Sequence, residues 1–190
     1  MARDDSELLG RDALLRAIRR QLRKRENVLL CGPADVGKTA VIQALAPREY
    51  VVLDPFEGVT PHLAARIRRA IYRGTPHLAA ARSLDRGYLG AVRRIAFWFT
   101  VVSVPPLGGR WMARLLAREC RRLGLPSEAM SPRWTDAVLR LARGRPGLAI
   151  AMVRAAAAVR EAKGALPSPD VAFIEARIDA FRGGQRAAGF

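Results

Sequence analysis

The residues Gly32-Pro33-Ala34-Asp35-Val36-Gly37-Lys38-Thr39 fit the pattern G-x-x-x-x-G-K-[ST] without a mismatch. The chemistry such a spacing serves is phosphate binding. Glycines at both ends let the loop curl until several backbone N–H groups point inward at an anion. The lysine reaches the β and γ phosphates of a nucleotide, and the hydroxyl after it ligates Mg²⁺. A helix opening at this point aims its positive dipole end at the same anion. Chance supplies such a match about once in a thousand chains of this composition. Lysine occurs only at positions 24, 38 and 163, and one of the three falls here. ATP and Mg²⁺ are therefore the expected ligands, held by Gly32, Pro33, Ala34, Asp35, Val36, Gly37, Lys38, Thr39 and Ala40.

The elements that must position this loop are legible as changes of period. Leu8, Leu14, Leu15, Ile18 and Leu22 recur at helical spacing across residues 6–23, with arginines opposite. An apolar strand at 27–30 then leads into the loop, and a short helix is predicted over 39–46, ending before Pro47. Strand 50–53 closes on Asp54-Pro55. Helix 60–73 carries Pro61 in its first turn. A third strand is read at 77–81, a helix at 88–97 and a fourth strand at 99–104, broken by Pro105-Pro106. Beyond Gly109 only helical patterns remain, at 110–123, 132–143, 146–163 and 170–181. The fold class this predicts is α/β: a P-loop NTPase with a short, four-stranded parallel sheet flanked by helices, then an all-helical lid. The division is placed at 1–107 for the nucleotide-binding core and 108–190 for the lid.

The chain has 190 residues, half of them hydrophobic, which excludes disorder over most of its length. Its formal charge is +16, and all but three of its 33 basic residues are arginine. Arginine forks suit phosphates and carboxylates, although a solvated surface uses the same residue. Cys31 and Cys120 lack metal-ligand spacing and read as small core residues. The polar N-terminus reads as no secretory signal, and no apolar run spans a bilayer, so a cytoplasmic protein without membrane contact is expected. His62 and His77 have no partners at ligand spacing. Trp98, Trp111 and Trp134 read as packing.

From Leu8 onward the chain resembles an AAA+ ATPase of the initiator, transposition-helper and STAND-like group. Leu9-Gly10-Arg11-Asp12-Ala13-Leu14-Leu15 resembles that group's hGRe.eL box, which implies that Arg11 lies near the adenine. Gly32 to Thr39 is then Walker A. Tyr50-Val51-Val52-Leu53-Asp54 resembles Walker B, which implies that Asp54 holds Mg²⁺ through water, beside Thr39. Residues 77–81 followed by Arg82-Ser83 resemble the strand carrying sensor 1. Phe99 to Leu107 resembles the last core strand and the approach to the lid. Ala142-Arg143-Gly144-Arg145-Pro146 resembles the lid turn where sensor 2 sits, which implies that Arg145 and Pro146 touch the nucleotide. Arg93 and Arg94 stand where the family places an arginine finger, which acts on the γ-phosphate of a neighbouring subunit.

Two departures accompany the likeness. The family core has five strands where four fit here, and an edge strand is the cheapest to lose. The Walker B aspartate is followed by Pro55 instead of a glutamate, so Glu57 is the candidate base for activating water. The catalytic set expected is Lys38, Asp54, Glu57, Arg93 and Arg94. One reading is an ATP-driven switch on nucleic acid, a helper in transposition, replication or defence, that acts as a homo-oligomer or within a larger assembly. Its anionic partner would meet Arg110, Arg114, Arg118, Arg121 and Arg122, with Trp111, Leu115 and Leu116 turned toward packing. The alternative is a hydrolysis-poor nucleotide-binding module that signals to a protein. A small-molecule P-loop kinase is a third reading with no acceptor-site pattern to support it.

Overall fold

Residues 27–31 are apolar from the second position and stop at Gly32, and in the computed structural model they form the central strand β1 (Asn27–Cys31). The structure describes residues 8–45 and 50–187, without the side chains of residues 86, 88 and 182–187. β1 pairs in parallel with β3 (His77–Ala81) and with β4 (Phe99–Ser103), and β3 pairs in parallel with β2 (Val51–Leu53). The sheet order is β2-β3-β1-β4.

Successive side chains of a strand point to opposite faces, and each face has its own core. Val28, Leu30, Leu78 and Ala80 pack with Leu15 and Ile18 of α1 (Asp12–Arg23) and with Val41 and Ile42 of α2 (Lys38–Ala44). Leu29, Ala79 and Ala81 pack on the other side with Ala64 and Ile67 of α3 (Pro61–Tyr72), and with Phe56, Val92 and Ile95. With both faces covered, β3 is buried at all five positions. β2 is an edge strand of three residues, with Val51 and Val52 exposed.

Two boundaries differ from expectation. The first helix begins at Asp12, because residues 8–10 bend and turn, with Gly10 at φ +67°. Its predicted start at Ser6 and the predicted end of α2 at Ala46 lie outside the described residues. The helix expected over 88–97 is absent. A four-residue α4 (Arg86–Leu89) stops at Gly90, whose φ is +49°, and 3₁₀ turns at Gly90–Arg94 and Ala96–Trp98 follow. Leu89, Val92 and Ile95 are all buried at a spacing of three, which suits the 3₁₀ repeat.

At the opposite end of the sheet from the loop, Asn27 ties three strands together. Its Oδ1 accepts the His77 backbone N–H at 3.0 Å, and its Nδ2 donates to the Trp98 carbonyl at 3.3 Å. The His77 ring is buried, with Nδ1 2.8 Å from the Thr75 carbonyl.

Compact units divide the chain between Pro105 and Pro106. The second is helical: α5 (Gly109–Arg122), α6 (Pro132–Ala142), α7 (Pro146–Lys163) and α8 (Pro169–Ala187). α7 packs against the other three helices, presenting Ala149, Met152, Val153 and Ala156. Gly144, at φ +69°, is pressed on the start of the unit. A Cβ there would lie 2.7 Å from Pro106 Cβ and 3.0 Å from the Leu107 carbonyl oxygen, and Leu107 N–H donates to the Gly144 carbonyl at 2.7 Å. Glu119 is buried between arginines. It accepts from Arg122 at 2.7 and 2.8 Å and from Arg154 of α7 at 3.2 Å. Bonding to Arg122 outweighs burial and holds the Glu119 carboxyl below its usual range.

Burial pushes the His77 imidazole below its ordinary pKa of 6.5, against the Thr75 carbonyl, which raises it. Its native pKa is therefore the lower one. The unfolded chain takes up a proton that the native state refuses, and stability falls as the pH drops through the unfolded value. Urea unfolding from about pH 7.5 to about pH 5.5 should show this loss. A His77→Asn variant, weaker throughout, should lose that part of the slope. The same slope in parent and variant would contradict it.

Candidate nucleotide site

The loop leaves β1 at Gly32 and is held there by both neighbouring strands. Gly32 N–H donates to the Ala81 carbonyl at 3.3 Å, and Val104 N–H donates to the Cys31 carbonyl at 2.8 Å. That clamp leaves no room for a side chain, since a Cβ on Gly32 would sit 2.9 Å from the Val104 carbonyl oxygen. The curl of the loop needs left-handed backbone at Asp35, φ +63°, and at Gly37, φ +97°. Aspartate and glycine are among the residues that adopt it most readily.

Lys38 opens α2 and folds back over the loop, its Nζ donating to the Gly32 and Pro33 carbonyls at 2.7 and 2.8 Å. Burial lowers the Lys38 pKa. Glu57 and then Asp54 oppose that fall, and Arg82 adds to it. Three side chains, two from the stretch after β2 and one from the end of β3, therefore act on one ammonium. Cys31 lies in the same field: burial raises its thiol, Lys38 opposes this, and Glu57 and Asp85 add to it.

Thr39 Oγ1 donates to Asp54 Oδ2 at 2.7 Å, joining the loop to the end of β2. A hydroxyl and a carboxylate are the hard oxygen donors that Mg²⁺ takes, and the residues fit such an ion completed by water and phosphate oxygens. Among the described residues, no group of three or more His, Cys, Asp or Glu forms a metal cluster. Glu57, half-buried, follows on the 3₁₀ turn Phe56–Gly58.

Arg11 is buried and its Nη2 donates to the Val36 carbonyl at 3.0 Å, so it holds the loop from beneath. Of the two sensor 1 candidates, Arg82 is the one whose charge reaches Lys38. The Ser83 hydroxyl donates to Asp85 Oδ2 at 2.6 Å. Asp85 was no sequence candidate. Its nearness to the loop depends on the chain turning back after β3, which no local pattern announces.

Arg93 and Arg94 do not lie on a helix. They are exposed on the Gly90–Arg94 turn and line a groove of about 500 Å³ with Arg68 of α3. Arg145 and Pro146 belong to the second unit, at the start of α7, where Arg145 Nε donates to the Ala142 carbonyl at 3.2 Å. The arginine face of α5 is exposed as expected, with two corrections. Arg122 is taken up by Glu119. Trp111 does not turn away but lies half-buried beneath the guanidiniums of Arg110 and Arg114, 4.5 and 5.0 Å from its ring centre. At about 100° per residue it falls within the arginine arc.

No protein-family model matches the sequence, and no curated protein matches it. Solved structures do. RuvB of Thermotoga maritima, a Holliday junction branch migration motor, is similar with a TM-score of 0.60 at 14% identity, over 92% of this chain and 71% of that one. A Walker-type ATPase of Pyrococcus abyssi is similar with a TM-score of 0.59 at 13% identity, over 97% of this chain and 76% of that one. The chain has a P-loop ATPase fold.

Removing the Arg11 guanidinium leaves the Val36 carbonyl buried without its donor, which costs about 1–3 kcal/mol. Arg11→Ala should therefore lower stability by that amount and speed amide exchange at Val36 to Lys38. Unchanged exchange there would mean that Arg11 does not hold the loop.

Proposed function

We propose that the chain is an ATP- and Mg²⁺-binding switch of the AAA+ type that acts on nucleic acid. The observation that carries the nucleotide half is the 2.7 Å bond between Thr39 and Asp54, beside a lysine at the mouth of a glycine-bounded loop. Mg²⁺ would supply charge neutralisation at the phosphates when bound with ATP. Thr39 and Asp54 would hold it, Asp54 through water. Lys38 exchanges its loop carbonyls for phosphate oxygens, a charge-assisted bond that is stronger than the neutral-acceptor one it replaces. The loop N–H groups orient the phosphates. Glu57 takes the place of the Walker B glutamate in our reading, because it follows Asp54 on the Phe56–Gly58 turn and its charge reaches Lys38. It accepts the proton of the attacking water. Arg82 faces the developing charge. Residues 108–190 serve as the lid.

The nucleic-acid half rests on α5. Arg110, Arg114, Arg118 and Arg121 are exposed along one arc, and the Trp111 ring aligns two of them. Planar guanidiniums already ordered on an aromatic face lose less freedom on meeting a phosphate backbone. RuvB, similar in fold, is itself a motor on Holliday junctions.

An ATP titration tests the first half. Lys38→Ala should lose most affinity with the fold intact, and unchanged binding would remove the nucleotide site. Turnover should rise with duplex DNA; tight ATP binding without turnover would instead favour a hydrolysis-poor module signalling to a protein.

For the second half, each neutralised phosphate releases counterions. Four contacts give a log–log salt slope of about −3.6 on duplex DNA. Replacing Arg114 and Arg118 with Gln should lessen that slope by about two units without changing sequence preference. A parental slope in that variant would exclude the α5 face.

A further inference from the structure

Helix α3 turns one stripe toward the segment that follows α4. Pro61, Ala65 and Arg68 on that stripe line the groove of about 500 Å³, and Gly90, Ala91 and Arg94 line it from the other side. Most of these residues are small, which leaves the groove room, and Arg68, Arg93 and Arg94 stand exposed along it. Among the described residues none of the three arginines pairs with a carboxylate. Neither wall supplies one: Pro61–Tyr72 and residues 90–98 together hold five arginines and no aspartate or glutamate.

Both walls lead on to aromatic rings. Four residues beyond Arg68, on the same helix face, is Tyr72, and four beyond Arg94 is Trp98. These two rings meet edge-on with centroids 5.4 Å apart, and Phe97 lies against Trp98 at 4.3 Å. Trp98 packs on the core, so the cluster has a fixed base. Tyr72 and Phe97, 73% and 72% exposed, keep most of their surface in solvent. Aromatic rings stabilise a protein chiefly when covered, and this pair is braced but bare.

Each half of the face calls for its own chemistry. Guanidinium forks without carboxylate partners suit anions set at intervals. Bare rings suit flat π systems that stack on them. An acidic peptide meets only the first demand, and a DNA duplex keeps its bases stacked on one another. A strand of unpaired nucleotides meets both, with phosphates for the arginines and bases for the rings.

We propose that this face of the first unit binds single-stranded nucleic acid, its phosphates along Arg68, Arg93 and Arg94 and its bases stacked on Tyr72 and Phe97. The site is separate from the duplex contact of α5 and stands independently of it and of what the P-loop binds.

Fluorescence anisotropy of a labelled oligothymidylate tests it, on the full chain carrying Arg114→Gln and Arg118→Gln to quiet the α5 face. Tyr72→Ala and Phe97→Ala should each weaken single-strand binding about tenfold and leave binding to a duplex of the same length unchanged. Their thermal melting should stay near that of the background chain, since both rings are exposed. Three phosphate contacts contribute about −2.1 to the log–log salt slope on a single strand. Arg68→Gln with Arg94→Gln, which leaves the rings in place, should lessen the slope by about 1.4, and the ring variants should not change it. Single-strand binding that is absent, or untouched by the ring variants, overturns the proposal. So does an equal loss on the duplex, or an unchanged slope in the arginine variant. Polyglutamate that displaces the oligothymidylate as well as unlabelled oligothymidylate does would overturn it too, and make the groove a surface for an acidic protein.

Discussion

The bond from Thr39 to Asp54 joins two segments that the chain order keeps apart, and the candidate site depends on it. β2 is an edge strand separated from β1 by β3, so its end reaches the loop only because all four strands run parallel and finish on one side. Parallel strands put their carboxyl ends, and the loops that follow, along a single crevice. Asp54 and Glu57 after β2 and Arg82 and Asp85 after β3 thereby come within electrostatic reach of the loop after β1. The clamp on Gly32 completes the arrangement. With the Val104 carbonyl where a side chain would begin, the loop has one way to leave the sheet.

The helical unit is fixed by different means. Gly144 meets the start of the unit at a distance no other residue tolerates, and Glu119 gathers Arg122 and Arg154 so that α5 and α7 share one buried charge. A carboxylate with two guanidinium partners avoids the penalty of an unpaired buried ion. It also divides the arginines of α5: Arg122 is spent on structure, and the arc from Arg110 to Arg121 faces solvent.

Much of this was legible in the sequence for identifiable reasons. β3 is buried throughout, and its bounds agree with the sequence reading because Leu78 to Ala81 are apolar without a break and Arg82 ends them. The loop motif combines fixed residue types with fixed spacing, so one glance along the chain locates it. The segment after β3 misled because Leu89, Val92 and Ile95 suit a helix nearly as well as the 3₁₀ turns that form, and Gly90 decides between them. Trp111 misled because hydrophobicity alone assigns it to the core, whereas its helical phase sets it under arginines. The burial of His77 could not be read locally: its partner Asn27 lies fifty residues earlier.

The central claim is that Thr39 and Asp54 act as one unit on a metal-bound nucleotide, and a double-mutant cycle measures it directly. ATP affinity is determined with and without Mg²⁺ for the parent, Thr39→Val, Asp54→Asn and the double variant. With Mg²⁺, each single change should weaken binding about tenfold, equivalent to about 1.4 kcal/mol, and the double change should cost little more than either. Without Mg²⁺ all four proteins should bind nearly alike. Losses that simply add, or that are the same with and without Mg²⁺, would contradict the account.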